Sequence, residues 1–429
     1  MWRMKWCIPD PVRALCILWV GLFPFLSLAE WDWQVLDVIP PSEDGKGQPG
    51  LAGAYAGIHN DCLIIAGGAN FPGGPPWAGG KKIYHQSIYA LERVDEGYIW
   101  HSQSIKLPTP LAYGTTVSTE HGLICMGGES PNAEGKANPV NTVFVMQWDA
   151  EKKQVIVSDR LIGEKDTPEE ILPFPKLSLP TANLASVMYN DRIFLIGGNT
   201  PGGYNGEMWY LDVNRRVRAR GTNPNEPIRL IWRSLPMFRN PERSHCLAVV
   251  QNDGVHDCIW VLSGRRRDRS SSWQMLTDLH KYNLQSRTWL RMSDIRVAGE
   301  NARCVMAGTT IADGFDAILV LGGANGVLFK KLEEDIPLRI AAAEAAGDVQ
   351  HATDIAKSKT ALLEGHPGFS PQILRYSALL DSWEVDGAFP RGLPVTSTLL
   401  SWGDDLVLVS GEIRPGVRTP VIWKGRRTE

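Results

Sequence analysis

Residues 410–420, which read SGEIRPGVRTP, are the part of this 429-residue chain best suited to chemistry. They place Glu412, Arg414 and Arg418 close together around a Pro-Gly turn. Glutamate can move protons and arginine can bind a substrate carboxylate through two parallel hydrogen bonds, so such a pair can divide the labour of a reaction. The same residues could instead form a local salt bridge. The pattern therefore indicates Glu412 as a candidate catalytic residue, with Arg414 or Arg418 as its partner.

A polar residue also follows the glycine that ends each of six similar apolar stretches. These residues are Asn70, Glu129, Asn199, Arg265, Asn325 and Glu412. Arg243 stands before the fourth stretch, where it is followed by Ser244 and His245. A ring of hydrogen-bonding groups suits a polyhydroxylated ligand better than an apolar one. We therefore predict that the substrate is bound by Arg243, Glu129, Asn70, Asn199 and Asn325.

Structural roles are open for the same residues. Polar side chains after glycine also cap turns and satisfy buried loop backbone. A histidine on a strand, such as His245, is more often packed than catalytic, and the basic run 265–269 is typical of a solvated loop. Tyr84 and His85 follow a loop rich in Gly and Pro and could border the same site.

The elements that must position these residues form an internal repeat. Three of its six copies read AYAGIHNDCLIIAGG, NLASVMYNDRIFLIGG and CVMAGTTIADGFDAILVLGG. Each copy has a strand of small residues, a turn rich in Asn, Asp or Gly, an apolar strand and a terminal glycine. Such turn residues favour tight hairpins, and a strand that is apolar throughout is covered on both faces. The repeat predicts an all-β ring of blades that pack face to face.

Aromatic spacing identifies the type of ring. Tyr282 precedes Trp289 by seven residues, and Tyr376 precedes Trp383 by the same interval. This resembles the outer strands of the Kelch repeat, whose period is roughly 50 residues. We predict a six-bladed Kelch-type β-propeller over residues 30–429. The chain ends one strand short in the sixth blade, so residues 31–38 should supply its outermost strand and close the ring.

One segment departs from the strand pattern. Residues 332–364 are rich in Ala, Glu and Lys and predict a helical insert after the fifth unit. The insert would hang over one face of the ring as a lid or a wall, or it would be a surface decoration.

The remaining features of the sequence concern location and partners. Residues 1–29 have a basic start, a short apolar run and a small-residue ending, which predict a cleaved signal peptide and a periplasmic or secreted protein without stable membrane insertion. The formal net charge of −3 gives no reason to expect nucleic acid as a partner. Five cysteines would remain after cleavage in dispersed strands, one bridge among them is conceivable, and no spacing suggests a metal. The sequence does not indicate an oligomeric state.

Four segments resemble one enzyme family. SGEIRPGVRT, AGAYAGIHNDCLIIAGGANF, LAYGTTVSTEHGLICMGGES and DLHKYNLQSRTW are similar to the N-acetylneuraminate epimerases, or sialic acid mutarotases, over essentially all of residues 30–429. The repeat order is rotated, which matches the cyclically permuted branch of that family. The resemblance implies interconversion of the anomers of a sugar acid without a cofactor, in the periplasm. It also implies that Glu412 is the base and Arg418 its partner, with Arg418 holding the substrate carboxylate.

This sequence departs from the family's pattern at two places, and both bear on the expected substrate more than on the expected fold. Leu111 stands where the family commonly has Arg before Ala-Tyr-Gly, and the segment PGGPPWAGG is unfamiliar. A non-catalytic Kelch propeller that binds a glycan or a protein is the alternative, because this fold hosts both kinds of function. A copper oxidase on the same fold would need a Tyr/His/Cys ligand set, for which the sequence offers no convincing constellation.

Overall fold

The first hairpin of each blade follows from its turn residues. Asn60 and Asp61 have φ of 48° and 58°, and Asn190 and Asp191 have φ of 44° and 59°. This left-handed conformation is tolerated by Asn and Asp, and a two-residue type I′ turn requires it at both positions. The flanking strands consequently pair directly across the turn in both hairpins.

The computed structural model describes residues 30–41, 47–160, 173–213 and 230–428. Within these ranges six four-stranded antiparallel sheets form a six-bladed β-propeller, as predicted. The strands of blade 1 are Tyr55–His59, Cys62–Ala66, Ile88–Val94 and Gly97–His101. Those of blade 2 are Thr115–Thr119, Gly122–Met126, Val143–Asp149 and Gln154–Ser158. Those of blade 3 are Ala185–Tyr189, Arg192–Ile196, Met208–Asp212 and Arg233–Leu235. Those of blades 4 to 6 are Leu247–Asn252, Asp257–Leu262, Leu279–Asn283 and Thr288–Met292, then Thr309–Asp313, Ala317–Leu321, Gln372–Ser377 and Ser382–Ala388, then Thr398–Trp402, Asp405–Val409, Val421–Arg427 and Trp31–Val38.

The second strand of each blade is apolar because neighbouring blades cover it. Every residue of Cys62–Ala66, Gly122–Met126 and Ala317–Leu321 is buried. The core is divided into clusters that lie between adjacent blades, and one of them joins Ile64 of blade 1 to Phe144 of blade 2. The predicted face-to-face packing of blades is therefore present.

Aromatic pairs stabilise the outer strands of blades 4 and 5. Tyr282 and Trp289 are register partners with ring centroids 5.0 Å apart. Tyr376 and Trp383 are the equivalent pair, 4.9 Å apart. The seven-residue spacing in the sequence therefore marks a cross-strand aromatic contact.

The ring is closed by strands from the two ends of the described chain, as predicted. Trp31–Val38 pairs antiparallel with Val421–Arg427 in blade 6. Trp31 Nε1 donates to Asp386 Oδ2 at 3.0 Å, and Arg427 Nη2 donates to the same oxygen at 2.7 Å. Because Asp386 belongs to blade 5, these bonds also tie the closing strand to the neighbouring blade.

A closed circuit of backbone hydrogen bonds surrounds the propeller axis. It involves six equivalent residues just before the first strands, all with φ between 52° and 63°: Gly53, Tyr113, Asn183, His245, Ala307 and Thr396. The N–H of each donates to the carbonyl of its counterpart in the preceding blade at 2.7–3.0 Å, and the N–H of Gly53 completes the circuit on Thr396. We call these residues the axial ring. They line a cavity of about 130 Å³ on the axis.

Short two-stranded ribbons follow the glycines of five blades, next to the axial ring. We call the space that they surround the mouth, and the ribbons themselves the mouth ribbons. They are Ala69–Asn70 with Ile83–Tyr84, Glu129–Pro131 with Ala137–Pro139, Asn199–Thr200 with Gly203–Tyr204, Arg265–Arg267 with Trp273–Met275, and Glu412–Arg414 with Val417–Arg418. In blade 5 the helical insert takes this place. It consists of α1 (Val327–Lys330), a π-helical turn (Lys331–Asp335), α2 (Ile336–Ala345) and α3 (Val349–Glu364).

The insert is a wall beside the mouth. Glu334 accepts hydrogen bonds of 2.7 Å from Ser272 Oγ and from the backbone N–H of Trp273 in the blade 4 ribbon. At its other end, Arg414 of the blade 6 ribbon donates to the carbonyl of Glu364 at 3.1 Å. These two anchors favour the wall among the roles that the sequence left open for the insert.

The predicted signal peptide, residues 1–29, lies outside the described residues. No helix in the described ranges is long and apolar enough to cross a membrane. The five cysteines in those ranges are buried and unbridged: Cys62, Cys125, Cys246, Cys258 and Cys304.

Candidate functional site

Isolated backbone bridges identify the equivalent residue of each blade at the mouth. They pair the residue before each axial-ring position with the first residue after the glycine in the same blade. The six residues so defined, which we call the mouth positions, are Ala69, Glu129, Asn199, Arg265, Ala324 and Glu412. Their charged members, Glu129, Arg265 and Glu412, lie in alternate blades of the ring.

Asn70 is not at a mouth position, which corrects the prediction that it binds substrate. It follows Ala69 by one residue, and successive side chains of a strand point to opposite faces. Asn70 is fully buried: its Nδ2 donates to Gln48 Oε1 at 2.8 Å and to the carbonyl of Gly50 at 2.9 Å. Its Oδ1 lies 2.8 Å from His85 Nε2. The side chain is fully engaged in holding the loop before blade 1.

The same one-residue offset applies to Asn325, the second correction. The mouth position of blade 5 is Ala324, and Asn325 is exposed. Its Oδ1 accepts the backbone N–H of Val327 at 3.0 Å, where α1 of the insert begins. Asn325 therefore starts the insert.

Arg243 is the third correction, because its side chain is wholly buried between blades. Its Nη1 and Nη2 each donate to Asp278 at 2.9 Å, a bidentate pair. Nε donates to the carbonyl of Pro241, and Nη1 also donates to that of Ser263. With no exposed surface and four hydrogen bonds to the protein, Arg243 holds the start of blade 4 in place.

Glu412 and Arg418 meet in the mouth ribbon of blade 6. They are register partners, and Arg418 Nη1 lies 2.9 Å from Glu412 Oε2. Among the described residues, neither Nη1 nor Nε of Arg418 has an acceptor in hydrogen-bond geometry, so the contact is an ion pair with poorly directed N–H groups. Glu412 Oε1 accepts the backbone N–H of Gly416 at 2.9 Å. The sequence-predicted pair is therefore brought together with hydrogen-bonding capacity left over.

Burial raises the pKa of Glu412 above the ordinary glutamate value of 4.5. Arg418 and the N–H of Gly416 act in the opposite direction, as do the charges of Lys82 and Arg265. A carboxyl group with a raised pKa beside cations is suited to exchange a proton with a bound molecule.

Glu129 lies at the centre of a second cluster, formed with the mouth ribbon of blade 1. Its Oε1 accepts hydrogen bonds from Tyr84 Oη at 2.6 Å and Lys82 Nζ at 2.9 Å. Burial lowers the pKa of Lys82, but Tyr113 and Glu129 outweigh it and raise the pKa overall. Lys82 Nζ also lies 4.3 Å from the ring centroid of Tyr113, in the axial ring. Lys82 is therefore protonated at neutral pH.

Arg265, which the sequence placed in a run typical of solvated loops, is half-buried at the mouth. Its guanidinium carbon lies 4.2 Å from the ring centroid of Phe329 in α1 and 5.0 Å from that of Trp273. Nη2 lies 3.4 Å from His245 Nε2 in the axial ring. Across the described residues no carboxylate forms an ion pair with Arg265. Its place directly after the glycine, which it shares with Glu412, put it in the polar ring read from the sequence, although it was not among the predicted binding residues.

Asn199 is at the mouth position of blade 3, as the sequence predicted. Its Oδ1 is buried and has no hydrogen-bond partner in the described part of the chain. A buried acceptor without a donor is unfavourable unless a ligand or water supplies one. Asn199 and Glu129 are thus the predicted substrate-binding residues that the structure places at the mouth.

Among the charged residues at the mouth positions and their direct ion-pair partners, cations outnumber carboxylates by three to two. Lys82, Arg265 and Arg418 contribute three cations, against the two carboxylates of Glu129 and Glu412. One further negative charge would balance these five residues. Tyr84, Tyr113, Asn199 and the mouth ribbons supply hydrogen-bonding groups to a ligand that carries it. The arrangement suits an anionic, hydroxyl-rich molecule and offers it both a base and protonated side chains.

Comparisons with known proteins identify the family to which the chain belongs. The family described as N-acetylneuraminate epimerase matches residues 25–156 and 227–429. The N-acetylneuraminate epimerase of Brucella suis is 38% identical over 128 residues, which are 29% of this chain and 32% of that protein. The one from Haemophilus influenzae (strain PittEE) is 26% identical over 200 residues, 46% of this chain and 48% of that protein.

These matches span about a third to a half of the curated relatives' own length. Among solved structures, that of YjhT covers 90% of this chain and 95% of its own with a TM-score of 0.53 and 14% identity, a likeness in fold. Because the family match extends over most of the sequence, the chain belongs to the N-acetylneuraminate epimerase family.

Proposed function

We propose that this protein is a mutarotase that interconverts the anomers of N-acetylneuraminate or a related sugar acid. The observation that carries the proposal is Glu412, a carboxylate with a raised pKa held beside Arg418 at a mouth with excess positive charge. Family membership supports the same reaction class.

The reaction needs a base and an acid on a cyclic hemiketal. In the proposed mechanism Glu412 removes the proton of the anomeric hydroxyl as the bond between the anomeric carbon and the ring oxygen breaks. The ring oxygen takes up a proton, and an open-chain keto acid results. Rotation about the bond next to the carbonyl carbon presents its other face, and reclosure returns both protons and gives the other anomer. No cofactor takes part in this sequence of steps.

Lys82 is the proposed proton donor to the ring oxygen. Lys82 Nζ donates to Glu129 Oε1 and also interacts with the hydroxyl of Tyr84, which leaves one of its three N–H bonds for a ligand. Its charge lowers the pKa of Glu412, which supports a site that the two groups share. Glu129 and Tyr84 would hold Lys82 in position.

A non-catalytic propeller that binds a glycan is the second candidate, because an ion pair between Glu412 and Arg418 is also compatible with a protein that only binds its ligand. Comparison with Arg243 and Asp278 favours the enzyme. That pair is saturated with hydrogen bonds, whereas Arg418 keeps unused donors and the Glu412 side chain is 18% exposed.

The test is proton NMR of α-N-acetylneuraminate released by a sialidase in the same tube. The proposal predicts faster appearance of the β anomer with the protein than without it. A neutral sugar, N-acetylmannosamine, is the control and should equilibrate at its spontaneous rate. Binding of the sugar acid without acceleration would favour the second candidate.

We further propose a periplasmic or secreted location, supported by the signal-like residues 1–29. Fractionation of the native host, with loss of these residues from the mature protein, would test it. Recovery of the intact chain from the cytoplasm would contradict it.

A further inference from the structure

Arg265 combines a positive charge, a fixed position and unused hydrogen-bonding capacity. Phe329 and Trp273 flank its guanidinium, and their rings pack edge to face at 5.2 Å. Its Nε is buried without an acceptor, and in the described chain Nη1 has no acceptor either. A guanidinium without a carboxylate in such a position is suited to an anionic ligand.

The environment of Arg265 is built to orient it. His245 is half-buried, and its pKa is lowered well below 6.5 by loss of solvation and then by the charges of Arg265 and Lys82. The neutral ring can therefore accept a hydrogen bond from Arg265 Nη2. On the other side, Glu334 of the insert holds the backbone of Trp273. The insert therefore fixes the aromatic side chains that flank the guanidinium: α1 contributes Phe329, and Glu334 holds Trp273.

Arg418 is less suited to hold a substrate carboxylate. It already lies 2.9 Å from the carboxylate of Glu412, and its side chain is only 4% exposed. A second carboxylate there would compete with the proposed base for the same cation. Arg418 therefore serves to position Glu412 and tune its pKa.

We propose that Arg265, set by His245, Trp273 and Phe329, is the carboxylate-binding subsite of the mouth, and that it takes the carboxylate of a sugar acid. This deepens the proposed function and rests on it for the identity of the ligand. Glu412 would then act on the anomeric centre while Arg265, two blades away around the ring, holds the adjacent carboxylate.

The test separates binding from turnover by using the methyl β-glycoside of N-acetylneuraminate, which cannot open its ring. Calorimetry should show that Arg265→Gln weakens its binding about 10- to 100-fold relative to wild type. The C1 methyl ester of the same glycoside, which lacks the charge, should bind wild type and Arg265→Gln alike. Equal binding of the acid glycoside to both proteins would overturn the subsite.

Two further variants make the assignment specific. Arg267→Gln is the matched control: Arg267 lies in the same strand and contacts the ring of Trp273 at 4.3 Å, but it is exposed and donates to Ser271. It should leave glycoside binding unchanged. Arg418→Gln should change the affinity for the glycoside less than threefold. A loss of affinity as large as that in Arg265→Gln would show that Arg418 binds the carboxylate and would overturn the proposal.

A failure of the proposed function would look different. If the glycoside does not bind wild type, sialic acid is not the ligand, and pyruvate becomes the probe. In a ¹H–¹⁵N NMR spectrum, the arginine Nε–Hε signal that is absent from Arg265→Gln belongs to Arg265. In wild type this signal should shift saturably with pyruvate and should not shift with acetamide. Absence of that shift would overturn the subsite independently of any sugar.

Discussion

Glu412 and Arg418 are register partners in one mouth ribbon, with Oε2 and Nη1 2.9 Å apart, yet the N–H groups of Arg418 are not aimed at the carboxylate. Arg243 and Asp278 show the opposite arrangement, a bidentate pair with both distances at 2.9 Å inside the ring. The loosely directed first pair leaves Glu412 able to exchange a proton with a ligand, and the second pair stabilises the fold. The variants below use this difference.

The activity should rise with pH and be half-maximal above pH 4.5. Glu412 must be ionised to act as the base, and burial raises its pKa above that value. Removal of Arg418 deletes a charge that lowers this pKa, so in Arg418→Met the midpoint should move at least about one unit higher. The measurement is kcat/KM against pH after subtraction of the spontaneous rate.

Arg414→Met is the control for that profile. Arg414 lies in the same ribbon, but it donates to the carbonyl of Glu364 in the insert and should leave the midpoint unchanged. A midpoint in Arg418→Met at or below that of wild type would contradict the assigned electrostatics.

Lys82→Met should lower kcat by about 10²–10⁴ with little change in KM, because it removes the proposed proton donor. Rates come from anomer conversion followed by NMR at saturating substrate. Lys81→Met, at the exposed neighbouring position, should behave as wild type. An unchanged kcat in Lys82→Met would assign the proton to another group.

Arg243→Met should destabilise the protein by about 3–5 kcal/mol, because among the described residues it leaves the half-buried carboxylate of Asp278 with only His280 as a charge partner. Urea unfolding followed by tryptophan fluorescence measures this, with the exposed Arg239→Met as control. Folded Arg243→Met should still bind the methyl glycoside. Weaker binding with unchanged stability would restore Arg243 to the substrate site.

Trp33→Ala should lower the free energy of unfolding by about 3–5 kcal/mol and open the ring at blade 6. Trp33 is 7% exposed and packs edge to face on Phe389 of blade 5, with centroids 5.0 Å apart. Gln34→Ala, one residue along on the exposed face, should stay within about 0.5 kcal/mol of wild type. Thermal denaturation that is equal for the two variants would argue against closure by this strand.

Glycines, turn residues and aromatic spacing were enough to predict the blades, the closing strand and the insert, because each rests on local backbone preference or on the need to pair an open edge. The mouth was predicted only in part. Asn70 and Asn325 were chosen as the nearest polar residues after the glycine, while the strand period of two makes the first residue the one at the mouth.

Arg265 belongs to the polar ring read from the sequence, but it was left out of the predicted binding residues for a different reason. Its neighbours in sequence are arginines, and a basic run in isolation indicates a solvated loop. The groups that hold it, His245 and Phe329, come from 20 residues before and 64 residues after it in the chain. Only the closed ring brings them together. The rotated repeat order relative to the family stays a prediction.

The most direct test of the account is the rate of α-to-β conversion of N-acetylneuraminate with wild type and with Glu412→Gln at equal concentration. Circular dichroism spectra and melting curves confirm that both are folded. The account predicts acceleration by wild type and a rate at least about 100-fold lower, near the spontaneous one, with Glu412→Gln. Equal acceleration by both proteins, or none by wild type, would contradict it.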